Sequence, residues 1–288
     1  MLWLPISLLS AFSLATTDAM TKRFLSHLSP YEMSLVRIIY TLPWLICSLF
    51  FIPMAKPDSI YFAVIGLAAP IEACAYYCYM KAIKVSPLSL TLPFLAFTPI
   101  FVIITGRVTL GEKLNLMGIV GIILIGAGSY CLNISCIKGG VFAPIRAVLK
   151  EQGSLLMLLV SFLYSLTSVL GKIGIQHSNP YFFASTYFII FTILMTALMP
   201  LIPGALLTRI TKLSLKSIII GGVNAVMIFS HMLSISMVEA AYMMSVKRTC
   251  LLFGILYGAW WFREKGTGER FLGAVIMLTG VFIIGFFS

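Results

Sequence analysis

The side chains with the most chemistry to offer stand where polar groups are expensive. Glu72 lies near the middle of an apolar run from about Ile60 to Met80. A carboxylate at that depth in a bilayer costs several kcal/mol unless it faces protein or water, so it reads as functional. At helical spacing Glu72, Tyr76 and Tyr79 share one face. A second polar face follows far downstream, where Asn224, Met227 and His231 fall at i, i+3 and i+7 inside the run Ile218–Met237. One shift of 152 residues carries Glu72 to Asn224 and Tyr79 to His231. The two faces are expected to form two sides of one pocket.

Each candidate has a chemical and a structural reading. Glu72 suits proton coupling; a group that only fixed helix packing could be a Gln or Ser at lower cost. His231 suits a pH-sensitive partner or a donor to substrate, or equally a satisfied core histidine. Lys247 and Arg248 lie about two turns inside a later run, Ala241–Phe262, and would meet an anionic group on a substrate or counter the charge of Glu72. Lys247 is expected to share a close-packing, small-residue face with Leu251, Gly254 and Gly258. Tyr76, Tyr79 and Tyr242 could stack on a ligand. Arg37 reads as a helix-contact residue, Asp18 and Lys22 as a local i, i+4 pair, and Glu112 and Glu264 as anchors at helix ends. Pro93 and Pro99 would bend the helix that holds them.

The background to these groups is overwhelmingly apolar. The 288 residues are 60% hydrophobic and 10% charged, with a mean hydropathy of +1.04, whereas soluble domains carry about 25% charged residues. An integral membrane protein follows. A net charge of +11 would suggest nucleic acid in a soluble chain, but here Lys and Arg gather in short connections between apolar runs, so no nucleic-acid partner is expected. Six cysteines lack the loop context of a disulfide framework or zinc site. Three histidines are too few for a metal centre or a catalytic triad, and no Gly-x-x-x-x-Gly-Lys-Ser/Thr loop is present to hold ATP. No cofactor, metal or catalytic residue is therefore expected.

A bilayer core about 30 Å thick needs roughly 20 apolar helical residues, and ten apolar stretches approach or meet that length: 2–19, 33–52, 60–80, 86–105, 116–133, 155–171, 182–201, 218–237, 241–262 and 271–287. A repeat runs through them. Phe12, Lys22, His27, Pro30 and Tyr31 recur 150 residues later as Phe162, Lys172, His177, Pro180 and Tyr181, and Glu112, Lys113, Gly121 and Gly128 recur 152 residues later as Glu264, Lys265, Gly273 and Gly280. The reading is an all-α membrane protein of ten transmembrane helices, built as a five-helix repeat over 1–136, a connection over 137–152 and a second repeat over 153–288. Because five is odd, the repeats enter the membrane in opposite senses, an arrangement that places substrate sites at their interface near the midplane, here a central cavity. Basic residues in the odd-numbered connections put both termini outside.

At Leu110-Gly-Glu112, with Gly121, Gly126 and Gly128 beyond it, the sequence resembles the EamA-type ten-helix members of the drug/metabolite transporter superfamily. Ser86-Pro87, Thr98-Pro99, Arg37 and the echo Arg263-Glu264-Lys265 with Gly273 and Gly280 extend the likeness over essentially the whole chain. The second half departs from it by placing Arg263 where Gly is expected before Glu264, and the ninth stretch has no proline to break it. The resemblance implies a basket of helices around a cavity lined by the third, fourth, eighth and ninth spans, alternating access, and cytoplasmic termini, against the charge count.

The expected function is secondary transport, as exporter or exchanger, of a small polar or amphiphilic metabolite such as an amino acid. The expected partners are that substrate, the lipid bilayer and a proton or counter-substrate, with the chain residing as a multi-pass protein of the cell (inner) membrane. Glu72, Tyr76, Tyr79, Asn224, His231, Lys247 and Arg248 are the candidate binding or coupling residues. The alternatives are a drug- or lipid-handling membrane protein and a non-transporting membrane partner.

Overall fold

The computed structural model describes residues 2–86, 91–134, 151–202, 205, 210, 214–262 and 271–287, and the regular structure among them is entirely helical. The elements are α1 (Trp3–Leu25), α2 (Pro30–Ile39), α3 (Leu42–Leu49), α4 (Ser59–Val85), a 3₁₀ turn (Leu92–Ala96), α5 (Phe97–Leu110), α6 (Leu116–Ile134), α7 (Gln152–Gln176), α8 (Pro180–Ala197), a 3₁₀ turn (Met199–Leu201), α9 (Leu215–Met237), α10 (Ala240–Lys247), α11 (Cys250–Phe262) and α12 (Phe271–Phe287). Five segments are long and apolar enough to cross a membrane: Pro30–Leu49, Ser59–Val85, Gln152–Gln176, Pro180–Leu201 and Leu215–Met237. Shorter apolar helices accompany them.

Polar caps set the helix starts. Ser29 and Glu32 form a reciprocal capping box around Pro30, Asp58 accepts from the Tyr61 amide at the head of α4, and Asn179 accepts from Phe182 at the head of α8. Each supplies an acceptor to an amide that the helix itself cannot satisfy. α5 stops at Gly111, whose φ of +65° is a left-handed conformation suited to glycine.

Three apolar stretches are broken rather than continuous. The second breaks at Tyr40–Thr41, the fourth where the 3₁₀ turn meets α5 after Ala96, and the ninth at Arg248–Thr249. The last two breaks stand 152 residues apart. Proline stands at the second break, as Pro43, and near the fourth, but not in the ninth stretch. In the ninth, the Arg248 and Thr249 amides bond carbonyls three residues back, both at 3.0 Å, and the Thr249 hydroxyl donates to the Val246 carbonyl at 2.8 Å. The ladder tightens locally and one helix ends where the next begins, without proline. Lys247 and the group Leu251, Gly254 and Gly258, expected on one face, thus lie on two helices, α10 and α11.

Packing repeats in the same sense as the sequence. The pairs α1–α9 and α4–α7 correspond under exchange of the two halves, as do α1–α11 and α5–α7, while α6–α12 and α3–α8 map onto themselves. Between α6 and α12 the backbones touch. A Cβ added at Gly121 would sit 2.9 Å from the Gly280 carbonyl, one at Gly280 2.6 Å from the Gly121 carbonyl, and one at Gly128 2.7 Å from the Gly273 carbonyl. In lipid, where apolar burial between helices adds little, such backbone approach is the main source of association.

Candidate functional site

A cavity of about 90 Å³ lies among α1, α2, α4 and α7–α10, with Leu95 of the 3₁₀ turn and Arg248 of the ninth break completing its wall. That space holds several waters or part of a small metabolite. Glu72, Tyr76 and Tyr79 face it from α4, Asn224, Met227 and His231 from α9, and Lys247 and Arg248 from the break between α10 and α11. All seven candidates thus meet at one void.

The wall is also paired by the repeat. Leu14 and Tyr164, and Arg37 and Tyr187, lie 150 residues apart; Glu72 and Asn224, Tyr76 and Ile228, Tyr79 and His231, and Leu95 and Lys247 lie 152 apart. In four of these six pairs at least one partner is an ionisable residue other than tyrosine. The halves present equivalent positions but different chemistry.

Within the wall the hydrogen bonding is specific. Arg37, 1% exposed, pairs with Asp18 at 2.7 Å and donates from Nε to Asn224 at 2.9 Å. Its guanidinium lies 5.6 Å from the centre of the Tyr76 ring. The second Asp18 oxygen accepts from the Tyr79 hydroxyl, and Asn224 Nδ2 donates to Thr41 at 3.0 Å. This network ties α1, the second stretch, α4 and α9 together. It corrects two expectations: Asp18 pairs with Arg37 instead of Lys22, whose ammonium donates to the Ser86 carbonyl at 2.9 Å, and Arg37 is a cavity residue.

Lys247 Nζ lies 3.0 Å from His231 Nδ1 and 3.5 Å from Met227 Sδ. Glu72 faces the Thr167 hydroxyl of α7 and the charge of Lys247. Arg248 is 2% exposed, and its Nε and the Tyr187 hydroxyl have no hydrogen-bond partner among the described residues. Tyr242 stands apart from the cavity and accepts from the Asn115 amide at 3.0 Å. Tyr164, Thr167, Ser168 and Gly171 line the cavity at i, i+3, i+4 and i+7, a polar stripe on α7 that sequence reasoning passed over although its helical spacing was visible. No group of three or more metal-ligating His, Cys, Asp or Glu side chains occurs among the described residues.

Polar ties hold both ends of the helix array. At one end Glu112 accepts from Lys172 at 2.6 Å and from the Ala240 amide at 3.0 and 3.1 Å, while Lys172 also donates to the Val238 carbonyl at 2.7 Å. Gly106 leaves room for this carboxylate, since a Cβ there would lie 2.9 Å from Glu112 Oε2. Glu112 is therefore the anchor expected of it, whereas Glu264 lies outside the described residues. At the same end Asp58 meets His177 at 2.7 Å; the Tyr61 amide and then His177 hold its carboxyl below the usual range. At the other end Glu151 caps α7 through the Gly153 and Ser154 amides and accepts from the Ser86 hydroxyl. Burial alone would raise the Glu151 carboxyl, but hydrogen bonds from Ser154, Ser86 and the Gly153 amide outweigh it and hold it down.

Comparison with known proteins agrees with this architecture. The model of the EamA-like transporter family matches twice, over residues 1–134 and 151–286. A crystal structure similar in fold superposes with a TM-score of 0.71 over 98% of this chain and 94% of its own, at 12% sequence identity, a likeness that speaks for the fold alone. No curated protein matches significantly. The two family matches span nearly all of a strongly apolar chain whose regular structure among the described residues is only helical, and the chain belongs to the EamA-like transporter family and is a multi-pass membrane transporter of the drug/metabolite type.

Proposed function

We propose that this protein is a secondary transporter, exporter or exchanger, of a small polar or amphiphilic metabolite such as an amino acid, working by alternating access in the cell (inner) membrane. The carrying observation is the void lined at repeat-equivalent positions from both halves. Ten membrane-crossing segments in two oppositely inserted repeats, 1–136 and 153–288 joined by 137–152, would place that void near the midplane, on the pseudo-symmetry axis. Support comes from the exchange symmetry of the helix contacts. Glu72 is the coupling carboxylate in this reading, because it is the acidic residue on the wall and faces Lys247, the cation it could release on protonation.

The test is transport in liposomes reconstituted with full-length protein, reading metabolite counterflow and pH-gradient-driven flux. Glu72→Gln is expected to abolish or severely slow gradient-driven flux while the protein stays folded and inserted. Unchanged flux with unchanged pH dependence would remove Glu72 from the mechanism. Flux that neither saturates nor shows counterflow would mark a channel.

A further inference from the structure

We infer that the cavity is built to seat one carboxylate, on Arg248 with Lys247 beside it, so that the transported class is small organic monoanions or zwitterions with an apolar tail. This rests on the transport reading above and specifies its substrate.

Two of the three buried cations on the wall already have partners. Arg37 is occupied by Asp18 and Asn224, and Lys247 by His231 and Met227. Arg248 is buried to 2% exposure on the cavity wall, and its Nε has no hydrogen-bond partner among the described residues. A buried guanidinium N–H without an acceptor is unfavourable, and the planar fork that Nε belongs to matches a carboxylate in bidentate geometry. The Tyr187 hydroxyl, also unpartnered and on the same wall, adds a neutral donor.

Charge then selects the anion. Arg37 and Asp18 cancel, which leaves Lys247 and Arg248 against Glu72, one positive charge in excess. An ammonium has donors only, so His231 Nδ1 accepts from Lys247 and contributes no further charge in that contact. A single carboxylate neutralises the excess. A phosphate monoester, with a charge of about −1.5 to −2, would overshoot, and a simple amine would add to it. The rest of the wall suits an apolar tail: Met227, Met232 and Met244 are adaptable, and Ile228 and Phe188 lie beside them.

The experiment uses purified full-length protein and four probes that share a branched apolar tail: L-leucine, 4-methylpentanoate, leucinamide and 3-methylbutylamine. Saturable thermal stabilisation at pH 7 is expected with the two carboxylates and not with the two amines. Arg248→Met is expected to weaken carboxylate binding by roughly 30-fold or more, with partial recovery in Arg248→Lys, both variants being checked for an intact unfolding transition. Should Arg248→Met fail to fold, Tyr187→Phe serves instead, with a several-fold loss confined to the carboxylates. Amines binding as tightly as acids, no binding by either acid, or acid affinity indifferent to these substitutions overturns the assignment. Counterflow separates this from the transport reading. Saturable exchange of an amine or sugar keeps the transporter and sinks the carboxylate site, whereas carboxylate binding without any exchange keeps the site and sinks the transporter.

Discussion

In the proposed alternating-access cycle the end tied by Glu112 must come apart in one half of the cycle, and the cost of that step follows from its contacts. Glu112 and Lys172 side chains are 9% and 13% exposed. Breaking a fully buried pair by removing one partner costs about 3–5 kcal/mol. Lys172 would keep the Val238 carbonyl and some contact with water, so Glu112→Ala should cost the closed end about 2–3 kcal/mol. At 1.4 kcal/mol per tenfold, the closed-to-open ratio then falls by roughly 30- to 100-fold. Hydrogen–deuterium exchange reads this directly, because the Ala240 amide loses its acceptor: amides from Val238 to Tyr242 should exchange faster by about that factor. Glu112→Gln should fall between, since its amide oxygen still accepts from Ala240 but no longer pairs with the Lys172 charge. Unchanged exchange at Val238–Tyr242, or an equal rise in α6, would refute the reasoning, the first by showing no latch and the second by showing general loosening.

Two further outcomes test the scaffold. Arg37→Leu leaves Asp18 buried with only Tyr79 and should lower apparent stability by about 3–5 kcal/mol, most of which Asp18→Asn in the same chain should restore; strict additivity in the thermal unfolding of the double variant would break the link between them. Gly280→Ala sets a methyl against the Gly121 carbonyl and should cost about 1–3 kcal/mol by forcing α6 from α12. In Gly126→Ala the added carbon meets only Ile100 Cδ1, at 4.0 Å, so its melting temperature should stay near that of the parent; equal losses would show that the seam is not tight.

Much of this was legible in the chain because lipid enforces simple rules. A span must be long and apolar, so the ten stretches each fall on a helix or a broken helix pair, and polar residues within them face inward, as Glu72 and His231 do. Boundaries drifted where polar groups close to a helix end remain helical. α1 continues to Leu25, well beyond the apolar limit at Ala19, with Lys22 and Arg23 in its last turn, and Asp18 within it turns inward to Arg37. That partner was hidden, since i, i+4 spacing pointed to Lys22 and nothing local announces a contact with the next span. The break at Arg248 was equally hidden. It arises from a threonine hydroxyl and a tightened turn, without the proline that usually signals one.

The glycine seam between α6 and α12 carries a mechanical consequence. Helices that meet only through long side chains can slide by exchanging rotamers, but here a carbon added at Gly121, Gly128 or Gly280 would come within 2.9, 2.7 or 2.6 Å of a carbonyl oxygen of the opposite helix, so little separates the two main chains along this seam. In the proposed cycle such a pair would serve as a stator, and the displacement that exposes the cavity to either side would fall on the helices that grip one another through longer, interchangeable side chains.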